Sequence, residues 1–318
     1  MAFRIDPGAS IPESVRAAGK EQIDNIFTKF LSKSKKGSAA HETRKAMKRL
    51  RALLHLVKPA MSKSDFERDQ ARLKDIAKLM SGVRDIQAML ETLAKLEEWE
   101  PAITANPVTG AVRDRLVEKR MAAEKKMSGA ALVKARKLLR EARTAFSDID
   151  LKADDFSPLA ATIEADYRKA RHAFHHAYEL GEDEAFHEWR KYVQRHWRQL
   201  VLVASVWPKT IRPHIALARD LSEILGEDHD LYVLSEFLKT EAKDLGEEEA
   251  LDALLAACRR RQEELRRKAH GFGARLLAEK PASLAGRLKT YWETAAFFQD
   301  RDVLTEEASN IIPFRGDT

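Results

Sequence analysis

Two stretches of this chain repeat one another. His41-Glu42-Thr43-Arg44-Lys45 recurs as His187-Glu188-Trp189-Arg190-Lys191, 146 residues downstream, and Arg49 is matched by Arg195 at the same offset. A second matched pair follows in the same order. LMSGVRDIQAML carries Arg84-Asp85, and ILGEDHDLYVL carries His229-Asp230 at nearly the same spacing. Matched blocks in fixed order read as a tandem duplication, with halves over about 11–149 and 157–298 and a loose, polar tail over 299–318.

The duplicated unit is helical. Ala, Leu, Glu, Lys and Arg dominate, and these are the strongest helix formers; period-two runs of Val, Ile and Thr, which would mark strands, are missing. Proline and glycine divide the chain into helices predicted near 12–32, 38–58, 64–81, 83–99, 110–147, 158–180, 183–206, 211–225, 229–245, 247–279 and 282–298. The fold class is all-α. With 318 residues, 44% of them apolar, a sizeable core is within reach despite 33% charged residues. The single cysteine, Cys258, excludes a disulfide framework and a thiolate zinc site and suits the reducing cytosol. The first residues, MAFRIDPGAS, lack a signal-peptide core, and the longest apolar stretch, Leu200 to Trp207, is far too short to span a bilayer. A cytoplasmic protein without a membrane segment is expected.

The net charge is only +6, from 56 basic and 50 acidic residues, so the placement of the cations matters more than their excess. At 100° per residue, His41, Arg44, Lys45, Lys48, Arg51 and His55 fall on one stripe of a helix. Ala46, Met47, Leu50, Leu53, Leu54 and Val57 fall on the other. The second copy places His187, Arg190, Lys191 and Arg198 on one stripe, opposite Tyr192, Val193, Leu200 and Val203. Gln194 stands where the first copy has Lys48, and Trp197 where it has Arg51. The preceding helix adds Arg168, Arg171, His172 and His175 at i, i+3, i+4, i+7. Arg49, Arg195, Arg84 and His229, with Arg16 and Lys20 on the first helix, complete the candidate anion-binding set. A solvated face normally mixes signs; four or five like-charge neighbours cost about 1–2 kcal/mol per helix unless a ligand neutralises them.

The blocks HETRKAMKRLRALL and HEWRKYVQRHWRQL, each followed by a G-x-x-[RH]-D-like turn, resemble the CHAD family (conserved histidine α-helical domain). Gly226-Glu227-Asp228-His229-Asp230 fits that turn well; in the first copy Ser81 takes the glycine position and Gly82 follows. The resemblance spans about residues 11–298. It implies two four-helix bundles related by a pseudo-twofold axis, with basic helices lining a central groove or pore that binds inorganic polyphosphate. It assigns His41, Arg44, Lys45, Lys48 and Arg51 to one wall and His187, Arg190, Lys191 and Arg195 to the other. Gln194 and Trp197 depart from the pattern and shift the second wall toward Arg198.

The chemistry of the set agrees with such a ligand. Arginine presents a planar fork to phosphate oxygens, lysine a mobile point charge, and histidine a donor whose charge follows its surroundings. Binding is therefore expected to tighten from about pH 8 to 6. A non-catalytic polyphosphate binder, directing itself or a partner to polyphosphate granules, is the leading expectation, with no cofactor and no metal. The alternatives are a polyphosphate-processing enzyme, which needs carboxylates to hold Mg²⁺, and a nucleic-acid binder, which needs exposed aromatics where the stripes carry only Trp197. Glu184-x-x-His187 is half of a di-iron motif without its second half. Asp85 and Asp230 are expected to cap helices or orient basic side chains. The run Arg259 to Lys268 reads as a solvated face, and Phe27, Phe30, Phe174, Tyr178, Trp292 and Phe297 as core.

Overall fold

The charged and apolar faces that alternate along the sequence fold into eleven α-helices and three short 3₁₀ turns, with no strand among the described residues. A computed structural model describes residues 3–31, 36–79, 82–126 and 129–300; the side chains of 29–31, 36–41, 126, 129–132, 299 and 300 lie outside it. The helices are α1 (Ile11–Leu31), α2 (Lys36–Leu56), α3 (Lys63–Leu79), α4 (Gly82–Trp99), α5 (Pro107–Lys126), α6 (Gly129–Ser147), α7 (Ser157–Leu180), α8 (Asp183–Leu202), α9 (Pro208–Glu241), α10 (Glu248–Leu276) and α11 (Pro281–Asp300). Proline opens α5, α9 and α11, where its fixed φ suits the first turn and its missing N–H is no loss. Gly181 closes α7 in the left-handed conformation, φ 72°, and its N–H bonds to Ala177 O.

The apolar face of α2 is buried as its periodicity predicts: Met47, Leu50, Leu53, Leu54 and Val57 are all at or below 1% exposure. Each such side chain contributes about 1.5–3 kcal/mol relative to exposure. On α8 the matching face buries Trp189, Val193 and Leu200. Trp189 lies so close to α10 that a Cβ on Gly273 would fall 2.7 Å from its ring. Glycine is what lets these two helices approach.

Helices α1, α2, α3 and α6 pack together, as do α7, α8, α9 and α11. Helices α4 and α5 pack against each other and reach across to α9 and α10. Three of the joints between the halves, α2–α8, α4–α9 and α5–α10, each pair an element with its own counterpart. One continuous hydrophobic cluster runs through both halves.

Several sequence expectations need correction. Residues 127 and 128, in the middle of the helix expected over 110–147, lie outside the described residues; on one side of them α5 packs on α4 and α10, on the other α6 packs on α1 and α3. The helices expected over 211–225 and 229–245 are one, and the supposed turn Gly226–Asp230 lies inside α9. A mid-helix glycine costs only about 1 kcal/mol, and here Leu225, Asp228, Leu231 and Leu234 are buried around it. Pro213 sits early in α9, where it forfeits one hydrogen bond near the helix start. The run Arg259 to Lys268 is not simply a solvated face. Arg260 pairs with Glu100 and Arg261 with Glu227, both at 2.6 Å, and Arg266 with Asp183 and with Asp228. Phe297 is exposed, whereas Trp292 stacks on Phe156 at 4.7 Å and anchors α11. Ser81, the side chain of Phe30, and the tail from 301 onward lie outside the described residues, and α11 itself runs to Asp300.

Candidate functional site

Where α2 and α8 meet beneath α4 and α9, a cavity of about 450 Å³ opens between the halves. Its polar lining is Arg44, Lys45 and Lys48 from α2, Arg84 and Asp85 from α4, Arg190 and Arg198 from α8, and His229 and Asp230 from α9. Ala88, Met89 and Val233 supply the apolar part. Arg44 and Arg190, Arg84 and His229, Asp85 and Asp230, and Ala88 and Val233 are each 145 or 146 residues apart, so the repeat in the sequence becomes a repeat across one cavity.

Six cationic side chains face two carboxylates here, and their mutual repulsion is visible in their titration. Burial, followed by the charges of Arg198, Arg190 and Arg44, pushes the Lys48 ammonium down to about 8, against the opposing pull of Asp230. Lys48 is nonetheless solvent-exposed, because the walls crowd it while the mouth stays open. Burial, then Arg190, Arg49 and Arg51, lowers Arg198 to about 10. Arg190 is lowered by burial, with Asp230 and Asp228 opposing. The His229 imidazole is pushed down to about 4 by burial first, then by Arg190, His187 and Lys191. It stacks on His187 with centroids 4.1 Å apart, and His187 Nδ1 is buried with no hydrogen-bond partner among the described residues. Burial, then Lys191 and Arg190, also lowers His187. Both imidazoles are therefore neutral at pH 7, and a bound anion would raise them.

Both carboxylates expected to cap helices or orient basic side chains line the cavity. Asp85, in the first turn of α4, accepts from Arg44 at 2.8 Å and orients it. Asp230 is no cap, since it lies in the middle of α9; burial raises its carboxyl, while Arg190, Lys95, Lys48 and Arg84 act to lower it. The matched Asp in both repeats was the signal for them. Lys95 follows Arg84 by eleven residues, three helical turns along one face.

Other candidate residues lie elsewhere. Arg195 is drawn away to the buried Asp166 at 2.9 Å, and His55 joins the same carboxylate at 2.8 Å rather than continuing the stripe. Arg49 donates to Gln22 at 3.3 Å, and Arg51 to Gln70 at 3.1 Å. Lys191 pairs with Glu188 at 2.8 Å. Gln194 links its neighbours: Arg198 donates to its backbone carbonyl at 2.9 Å, and its carboxamide lies 3.3 Å from the Arg190 guanidinium. The α7 row does not reach the cavity. Arg168 pairs with Glu164, Arg171 donates to Glu279 O at 3.0 Å, and His172 and His175 contact His176 and Phe174. Arg16 holds Ile149 O at 3.0 Å, and Lys20 is not in the lining. The side chain of His41 lies outside the described residues.

The family description that matches the sequence is the CHAD domain, over residues 20–239. Among solved structures, PptA from Streptomyces chartreusis is similar, with a TM-score of 0.63 at 14% identity, covering 84% of this chain and 100% of that one. The crystal structure of the CHAD domain from the plant Ricinus communis matches with a TM-score of 0.51 at 16% identity, covering 92% of this chain and 95% of that one. At such identities the likeness is one of fold. No curated protein matches the chain. Among the described residues, no helix is long and apolar enough to cross a membrane.

Proposed function

The chain belongs to the CHAD family, and on that premise we propose that its central cavity binds inorganic polyphosphate without turning it over. One observation carries this reading: six cations from both halves converge on one open cavity, where burial and then their mutual repulsion depress Lys48 and Arg198. A polyanion relieves that repulsion; a small neutral ligand does not. The lining also supplies what a phosphate chain needs, with arginine forks for paired oxygens and lysines for single ones. Binding of this kind weakens steeply with salt, as counterions compete for the same side chains. A cytoplasmic protein that attaches itself or a partner to polyphosphate granules fits this activity.

The test is calorimetric titration with polyphosphate of the wild type and of Arg44→Glu/Arg190→Glu, which reverses one cation on each wall. Binding is expected to disappear while the helical circular dichroism stays unchanged. Undiminished binding by that variant would exclude the cavity. Competition against labelled single-stranded DNA separates this reading from nucleic-acid binding: polyphosphate should displace DNA at far lower phosphate concentration than DNA displaces polyphosphate.

Asp85 and Asp230 favour a second reading, a Mg²⁺-assisted hydrolase or transferase, because carboxylates beside phosphates are how such enzymes hold the ion. Against it, Asp85 is engaged by Arg44, and Asp230 lies among four cations that repel a divalent metal. Phosphate release from polyphosphate in the presence of Mg²⁺ would establish the enzymatic reading.

A further inference from the structure

We propose that Lys48 is a site of acylation by acyl phosphates, of which acetyl phosphate is the simplest. The inference rests on the cavity's holding phosphate, and it adds a reaction that phosphate binding alone does not require.

Lys48 lines the cavity together with Arg44, Arg190 and Arg198, and all three guanidiniums act on its charge. Its side chain is open to solvent. An acyl phosphate joins a phosphate dianion to an electrophilic carbonyl through a single oxygen. Guanidiniums that hold the phosphate bring the carbonyl carbon to the amine standing among them, and this proximity is worth orders of magnitude in rate. The amine must also be uncharged. An ordinary lysine titrates near 10.4, whereas burial and the three arginines bring Lys48 to about 8, with Asp230 as the opposing charge. Arg84 and Asp85 from α4 complete the charged surroundings. A lysine standing beside other cationic groups is a recognised activated nucleophile.

The step balances without a further reactant. The neutral Lys48 nitrogen attacks the carbonyl carbon, the N–C bond forms, and the C–O bond to phosphorus breaks. Orthophosphate leaves with the bonding pair, and the proton lost from nitrogen passes to it or to solvent. The product amide carries no charge, so acylation takes one cation out of the cavity and weakens its hold on polyanions. The reagent that modifies the site is selected by the same arginines that bind the ligand.

The experiment is a time course of the full chain with acetyl phosphate, read by peptide mass spectrometry. Lys63 and Lys239, exposed and outside the cavity, serve as internal references. Lys48 is expected to be acetylated about tenfold or more faster than either, as a lysine with a lowered pKa should be. Tripolyphosphate should slow Lys48 and leave the references unchanged. Arg190→Gln should slow Lys48 toward acetyl phosphate but not toward the uncharged reagent N-acetoxysuccinimide. A Lys48 rate equal to that of Lys63, or a rate toward acetyl phosphate left unchanged by Arg190→Gln, overturns the proposal. The two readings fail separately. Polyphosphate binding with slow Lys48 acetylation removes the acylation site alone; fast, Arg190-dependent acetylation in a chain that does not bind polyphosphate removes the polyphosphate reading alone.

Discussion

The matched arginines of the two repeats, Arg49 on α2 and Arg195 on α8, meet different partners in corresponding places. Arg49 donates to the neutral carboxamide of Gln22 on α1 at 3.3 Å. Arg195 donates to the carboxylate of Asp166 on α7 at 2.9 Å, where His55 and Gln199 also converge, at 2.8 and 2.6 Å. Burial alone would raise the Asp166 carboxyl, but His55 and Arg195 together hold it below the usual range, so it is ionised at neutral pH. The comparison separates two uses of one design. Helix α2 turns Arg44, Lys45 and Lys48 toward the cavity, whereas α8 commits Arg195 to an ion-pair hub and leaves Arg190 and Arg198 to line it.

The largest expected consequence lies at that hub. Asp166→Ala leaves Arg195 and His55 without their carboxylate and should cost about 3 kcal/mol, the low end for a broken buried pair because both partners reach solvent. Gln22→Ala removes one hydrogen bond to a charged group and should cost about 1.5 kcal/mol. Urea denaturation measures both, and equal losses would abolish the contrast. Next is the response to acid, which should belong to the second half. Burial brings His196 down to about 4, and His229 is brought to a similar value. The unfolded chain binds these protons near 6.5 and the folded chain does not, so stability is full above that pH and falls as pH drops toward 4. His196 alone can account for about 2–3 kcal/mol of that loss. Its matched position is Leu50, which does not titrate; His196→Leu should flatten the profile measured between pH 7 and 4.5, and an unaltered slope would point elsewhere.

A smaller effect is expected from copying the first wall onto the second. Gln194→Lys restores the cation found at Lys48, and polyphosphate affinity should rise with a salt dependence steeper by about one unit in a log–log plot. An unchanged slope would mean that position 194 does not face the ligand. The smallest effect is Gly226→Ala. Its Cβ would sit 3.9 Å from the Arg190 guanidinium, an ordinary contact, so α9 should gain about 0.5–1 kcal/mol with polyphosphate affinity preserved.

Much of this molecule was legible because helical periodicity and internal repetition are properties of residue order. The apolar face of α2, the matched pairs across the cavity and the displacement of Arg198 into the lining all follow from spacing. Chain breaks were less legible. Gly226 and Pro213 resemble punctuation yet lie inside α9: burial around Gly226 outweighs a local penalty of about 1 kcal/mol, and Pro213 sits near the helix start, where it forfeits one hydrogen bond. The stripe also overcounted cations. Periodicity gives the direction in which a side chain leaves its helix, not the partner waiting there, so the stripe takes in His55, and the family resemblance Arg195, although Asp166, more than a hundred residues from His55, holds both. Asp85 and Asp230, read from the sequence as caps or as partners of basic side chains, enter the cavity from other helices, a placement that spacing on α2 and α8 does not give.

The joints α2–α8, α4–α9 and α5–α10 each bring an element against its own counterpart. Such joints set the two halves against each other within one polypeptide. Covalent linkage frees the assembly from protein concentration, since the two units cannot dilute apart. It also releases them from identity: a true dimer must accept every substitution twice, but here Gln194 stands at the counterpart of Lys48 and Trp197 at that of Arg51. A fused pair can specialise its walls independently, one for holding charge and the other for holding the fold.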